Sequence, residues 1–466
     1  MSLLTNIRGW FRNMLFPQAV AEREFGVSPA VSPKMEQNIS IWYAMFIGNP
    51  PWQTCDVIAV GIPAAICREI ARPTLAELTA NITGSARADY LKECFERAEE
   101  NFHRALELGL ALGGVAFKPY IYGEQLLVDV TGAAAFQPTK FDPAGRCIGG
   151  VFRDKPAKVG GKYYIRLESH ELDGTTYTIR NKAYYSDASG TVGAEAPLNA
   201  VPEWADIQPE ITIQNMSGPL FAYFRPPASN TADANSPCGM SVYGDAATVQ
   251  LIKQADEQWE RLRWEYRSSE RKVLMDGTSS TADMFNKRMF ELGPFSPSGE
   301  FFQYIEPQIR DEAIYRGFQN TLRRIEFNVG LAYGDISDPQ TIEKTATEIR
   351  NSKQRKYVLI DSIQTALEHT FDSLLYALDT YATLYNLAPA GTYNTDYSWG
   401  DSILDDAEKK EQERANDRLD LADGILNHWE YRAKWYGEDE ATAKAMLPKA
   451  QDMQDMVDEN APTEIE

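Results

Sequence analysis

The sequence predicts an α+β fold, mainly α, and three observations carry that expectation. Apolar residues recur at steps of three and four over most of the chain, the signature of helices with one buried face. Between about residues 115 and 230 they shift toward steps of two, as strands require. The composition, 43% apolar with 11% aromatic over 466 residues, is that of a chain with enough apolar matter for a large core. Its length suggests roughly two to four structural units.

Taken in order, MSLLTNIRGWFRNMLFP interleaves apolar residues with Arg8 and Arg12, which interrupts a signal-peptide core; packing against its own domain is the first expectation, and a short amphipathic helix on a membrane or a partner the second. From about Asn38 to Gly114 the pattern is helical. ADYLKECFERAEENFHRALELGLALGG places Leu91, Phe95, Ala98, Phe102, Leu106 and Leu110 on one face of a single helix that stops at Gly113-Gly114. YYIRLESHEL and TTYTIRNKAYY, joined at Asp173-Gly174, form an expected antiparallel hairpin. After a polar stretch, Asn230 to Pro237, a helix returns with Val249, Ile252, Ala255, Trp259, Leu262 and Tyr266 on one face. At about 28 residues it would reach about 40 Å, long enough to need neighbours along its length.

A turn-rich stretch follows, with short strands expected near Val273–Met275 and Phe301–Ile305. The next helix starts at Asp311 and carries Ile314, Phe318, Leu322, Ile325 and Val329 as its stripe. It is interrupted at LAYGDISDP, where Gly334 and Asp335 read as its end and Ile336 and Ser337 as the tip of a loop. Asp338 as N-cap and Pro339 at the first helical position then open the longest helical run, to about Leu387, which Pro389 and Gly391 end. The tail from Asp405 is charged and helical in pattern and fades into QDMQDMVDENAPTEIE, with a frayed end expected.

Little in the chain points to catalysis. Lys and Arg number 46 against 67 Asp and Glu, a net charge of −21, the opposite of a protein that grips nucleic acid by its phosphates. An acidic surface instead suits a wall that nucleic acid slides past. Five scattered cysteines without a CxxC pair indicate neither a zinc site nor a disulfide scaffold. His103 and His369 read as packing histidines within helices, and His170, beside Glu171 and Asp173, as a residue at a solvated strand end rather than a metal ligand. GxSxG, HExxH, GxxxxGK[ST] and GxGxxG are absent. Carboxylate pairs such as Asp335 and Asp338 lack the neighbours a hydrolytic site needs, and capping accounts for Asp338. The local basic groups, Lys287-Arg288, Arg323-Arg324, and Lys353, Arg355 and Lys356, read first as solvated faces or ion-pair partners, and second as contacts to nucleic acid or a partner protein. No cofactor or metal is implied, and no apolar run reaches the roughly 18 residues of a membrane span.

The segment GPLFAYFRPPASNTADANSPCGMSVYGDAATVQLIKQADEQWERLRWEYRSSERKVLMD, followed by LAYGDISDPQTIEKTATEIRNSKQRKY, resembles the portal proteins of tailed bacteriophages of the siphovirus type. ISIWYAMFIGNPPWQ and ELGLALGGVAFKPYIYGEQLLVDVTG fit the same family, and the order of elements matches over nearly the whole chain. The resemblance implies a ring, typically of about twelve identical subunits, at one capsid vertex. Double-stranded DNA would pass through its channel without sequence-specific contact. Implied partners are the terminase large subunit, the major capsid or scaffold protein, and a head-completion adaptor; the implied location is the virion, with assembly in the host cytoplasm.

On that pattern residues 1–244 form a wing, β-rich at 115–230, and residues 245–272 the first stem helix. Residues 273–310 form a short clip in which Phe285, Lys287 and Arg288 meet partner proteins, and residues 311–332 the second stem helix. A tunnel loop over 333–341 places Tyr333, Gly334, Asp335, Ile336, Ser337, Asp338, Pro339 and Gln340 near the passing DNA. A long wing helix spans 342–391, and a crown with an acidic tail spans 392–466. The competing expectations are a capsid-associated nuclease or glycan hydrolase with an acidic cleft, and a head–tail adaptor.

Overall fold

Side chains of Ser32, Ser85, Asp245 and Asp439 cap the helices that follow them. In this computed structural model, which describes residues 18–123, 125–189, 192–269, 272–276, 290–293, 302–305, 308–339, 346–400 and 407–447, α1 spans Gln18–Phe25 and α2 spans Pro33–Phe46. The Ser32 hydroxyl accepts from Met35 N at 3.2 Å, and Pro33 occupies the first turn of α2. There follow α3 (Ile62–Leu75), β1 (Thr79–Thr83), α4 (Ala86–Glu99) and α5 (Phe102–Leu112). The one helix expected over this last stretch is therefore two, separated by a turn at Glu100 and Asn101. Ala98 and Phe102 are both buried, so the apolar stripe runs across the break and conceals it. The stop at Gly113 is as expected: its φ is +81°, and a Cβ there would collide with the Gly239 carbonyl.

The chain then builds β2 (Val115–Tyr122), β3 (Gln125–Gly132), β4 (Phe136–Phe141), β5 (Cys147–Arg153) and β6 (Ala157–Val159). It continues through β7 (Lys162–Asp173), β8 (Thr176–Ser186), β9 (Ala194–Ala196), β10 (Glu210–Ile213) and β11 (Ala222–Phe224). One sheet has the order β10-β8-β7-β5-β4, with β6 beside β7 and β9 beside β8; another has the order β11-β2-β3. The expected hairpin is β7–β8, closed where Asp173 pairs with Thr176.

After the sheets come α6 (Ala246–Ser268), β12 (Lys272–Asp276), β13 (Phe290–Gly293), β14 (Phe302–Ile305), α7 (Asp311–Val329), α8 (Ala346–Leu384) and β15 (Asn394–Ser398). Strands stand at both positions expected in the turn-rich segment. The additional β13 runs parallel to β12, while β14 is antiparallel to it. Three helices, α9 (Ala407–Ala422), α10 (His428–Tyr436) and α11 (Glu440–Ala445), belong to a second compact unit, Gly400–Glu466, whereas all preceding elements belong to Met1–Trp399. The boundary lies at 399/400 rather than at 391/392, because β15 pairs antiparallel with β1 and holds the intervening residues in the larger unit.

The core of that unit gathers around α8, whose Ile363, Leu367, Phe371, Leu374, Leu375 and Leu378 are all essentially buried. The Phe371 ring stacks on Phe102 at 4.8 Å between centroids and meets Phe95 edge-on at 5.2 Å. The fold is mixed α and β, and no described helix is long and apolar enough to cross a membrane.

Candidate functional site

Two amphipathic helices lie antiparallel. Their side chains set the register: Asn328 Nδ2 donates to Thr248 Oγ1 at 3.1 Å, Thr321 Oγ1 donates to Gln258 Oε1 at 2.9 Å, and the rings of Trp259 and Phe318 sit 5.6 Å apart. Ile252, Ala255 and Leu262 of α6 and Phe318, Leu322, Ile325 and Val329 of α7 are buried, as their spacing predicts, whereas Tyr266 is exposed. Tyr266 falls in the last turn of α6, beyond the reach of that shared stripe.

Polar contacts fix both ends of the pair. At one end Arg310 grips the Glu265 carboxylate through its backbone N–H (3.0 Å), Nε (3.2 Å) and Nη2 (3.1 Å). These bonds hold the Glu265 carboxyl below its usual range and raise the guanidinium further. The clasp closes the base of the excursion that carries β12, β13 and β14. Midway along α6 the Asp256 carboxylate accepts from Trp52 Nε1 at 2.8 Å and Val60 N at 2.9 Å, pinning the loop before α3 against the helix. Burial raises the Asp256 carboxyl, against the pull of those two donors.

At the other end lies the loop that the sequence singled out. The helix ends earlier than expected, at Val329, with Gly330 as its left-handed cap (φ +84°) and the Leu331 N–H returning to Glu326 O at 2.9 Å. Glycine frees the turn from Cβ strain, and the next residues fold back over the helix. Glu326, fully buried, takes four donors from them: Gly334 N at 3.0 Å, Ile336 N at 2.8 Å, Ser337 N at 2.8 Å and Ser337 Oγ at 2.9 Å.

Neighbouring bonds complete the arrangement. Asp335 accepts from Ala332 N at 2.9 Å and pairs with Lys356 at 3.0 Å, while Asp338 N donates to Gln319 Oε1 at 2.7 Å. Ser337, expected at an exposed tip, is therefore buried, and Ile336 packs against the main core. A concentration of N–H donors around one carboxylate explains both corrections. Pro339 closes the described part of the loop; Gln340 and the residues that would continue a helix from Pro339 lie outside the described residues, as do Phe285, Lys287, Arg288 and the Lys353 side chain.

The expected carboxylate pair is thus occupied in holding the loop, Asp335 with Lys356 and Asp338 against Tyr315 OH at 3.4 Å. Among the described residues no group of three or more His, Cys, Asp or Glu side chains is placed to hold a metal.

His170 is not at a solvated strand end. It is fully buried, with Nδ1 2.7 Å from Tyr177 OH and Nε2 2.8 Å from Glu168 Oε1. Glu168 also receives Lys118 Nζ at 2.7 Å and Arg166 Nη2 at 3.0 Å. Lys118 stands on β2 and Glu168 on β7, so the network joins the two sheets. Burial pushes the His170 imidazole down, outweighing the Glu168 hydrogen bond that pulls it up. Burial alone would raise the Glu168 carboxyl, but Lys118, His170 and Arg166 together hold it well below its usual range. Buried between the sheets, this group does the work of a polar rivet. His103 and His369, expected to be packed, are exposed on α5 and α8, on the polar faces of both helices.

The basic residues converge more than their sequence positions suggest. The Arg324 and Arg355 guanidinium carbons lie 5.1 and 4.8 Å from the Phe327 ring centroid, and Arg355 also lies 5.0 Å from that of Tyr333. Arg323, one residue away, donates to Asn320 Oδ1 at 3.2 Å. Compared with known proteins, the chain matches no family model and no curated sequence.

Proposed function

We propose that the chain is the subunit of a portal ring of the tailed-phage type, a structural conduit for double-stranded DNA rather than an enzyme. One observation carries the reading: the succession of α6, the clasped excursion, α7, the folded loop and the 39-residue α8. Helices of 23 and 19 residues lie side by side like staves, with an excursion at one end and a compact loop at the other. On this reading they form the stem, the excursion is the clip, the sheets and α8 are the wing, and the unit from Gly400 contributes the crown.

The loop over 333–341 faces the passing duplex, and its attachment to Glu326 supports a wall of fixed width. A net charge of −21 disfavours adhesion of phosphates. In this reading Phe285, Lys287 and Arg288 meet the terminase large subunit and later the head-completion adaptor, the capsid or scaffold protein surrounds the wing, and the ring resides in the virion. Negative-stain imaging of the purified full chain tests the proposal: annular particles with a central hole are expected, and a stable monomer or dimer at high concentration contradicts it.

A further inference from the structure

Arg324 and Arg355 converge on Phe327, with Arg323 beside them on α7. No described carboxylate forms an ion pair with any of the three, in a chain whose net charge is −21. Nε and Nη2 of Arg323 and Nε of Arg355 are shielded from solvent without a hydrogen-bond partner. Phe327 between them is 45% exposed, and Val358, one turn after Arg355 on α8, is 58% exposed. Beside this patch runs a groove of about 590 Å³, bordered by Gln250, Leu251 and Gln254 of α6, by Arg324, Phe327 and Asn328 of α7, and at one end by Asp245, whose carboxylate already caps the α6 N-terminus. Cations, an aromatic face and a partly apolar groove with amide edges together fit a protein surface bearing carboxylates.

We infer that this patch is one half of a contact between copies of the chain, and that it receives an acidic face of the neighbouring copy. The inference rests on the ring reading above and adds the face through which the ring closes. A closed ring needs two different faces on every subunit, and only one of them is described by this patch. The surplus of acidic residues means that the remainder of the same chain supplies the complementary charge. DNA is the poorer occupant: guanidiniums clustered on a channel wall would bind phosphates that must keep moving. The exposed Phe327 and Val358 side chains gain from contact with protein and gain nothing from phosphate.

Arg324 is exposed, so its replacement leaves the subunit fold intact. Native mass spectrometry of the full chain should show the oligomer of Arg324→Glu reduced at least about tenfold relative to wild type at equal concentration, and that of Arg324→Lys close to wild type. Circular dichroism melting verifies the fold, and Arg324→Gln serves in its place if the reversed charge disturbs it. Raising the salt to about 0.5 M should weaken the wild-type oligomer in the same direction. Undiminished oligomers in Arg324→Glu and Arg324→Gln overturn the inference while leaving the ring reading intact, and the same variants losing duplex DNA binding instead assign the patch to DNA. Absence of any wild-type oligomer overturns both.

Discussion

Glu326 lies between Ile325 and Phe327 on a helix whose polar side would ordinarily be wet, yet it is fully buried because the chain folds over it. Charge-assisted hydrogen bonds of this kind contribute about 1.5–3 kcal/mol each, so one side chain holds most of the loop. Glu326→Ala should therefore raise amide hydrogen exchange at Gly334, Ile336 and Ser337 by at least about tenfold, equivalent to about 1.4 kcal/mol. Glu326→Gln, which keeps an acceptor, should fall between; unchanged exchange in the alanine variant would remove the latch from the account.

His170 supports a second prediction at this scale. The unfolded chain protonates this histidine below pH ~6.5, while the folded chain keeps it neutral to lower pH, so stability falls as pH drops below that value. The Glu168 contribution acts in the same direction: it is complete above the unfolded value near 4.5 and is lost as pH falls through the depressed folded value. His170→Gln should flatten the decline in thermal midpoint between pH 7 and pH 5. An equally steep decline in the variant would mean that other groups carry the acid sensitivity.

At the scale of elements, α8 organises the larger unit, and its Phe371 lies between Phe95 and Phe102 from two other helices. Phe371→Ala should cost about 3–5 kcal/mol in denaturant unfolding, and a loss below about 1 kcal/mol would show that the site repacks. Periodicity made α6, α7, most of α8 and the β7–β8 hairpin legible in advance. Local signals did not reveal the break at Glu100, because the apolar stripe continues across it. Nor did they reveal the pairing of β1 with β15, whose partners, such as Asn81 and Asp396, are remote in sequence. His170 misled for a related reason: its place near the Asp173-Gly174 turn read as a solvated strand end, but Lys118 of the second sheet and Arg166 join it around Glu168 in a buried network. The position of the loop was readable from Gly334 to Pro339; its inward fold was not, since a buried carboxylate on a helix looks like any other surface glutamate.

At the scale of the whole molecule, the proposed ring would assign roles to the clasped helix pair, the latched loop and the basic–aromatic patch of each subunit. On the proposed reading, the clasp fixes where the excursion leaves the helix pair, the latch fixes the loop, and the patch would supply a face for a neighbouring copy. The most direct test of the ring reading is the native mass of the purified chain. The account predicts a single closed species of about twelve times 52.4 kDa. A chain that stays at 52.4 kDa, or stops at twice that mass, at concentrations well above those of assembly would contradict it.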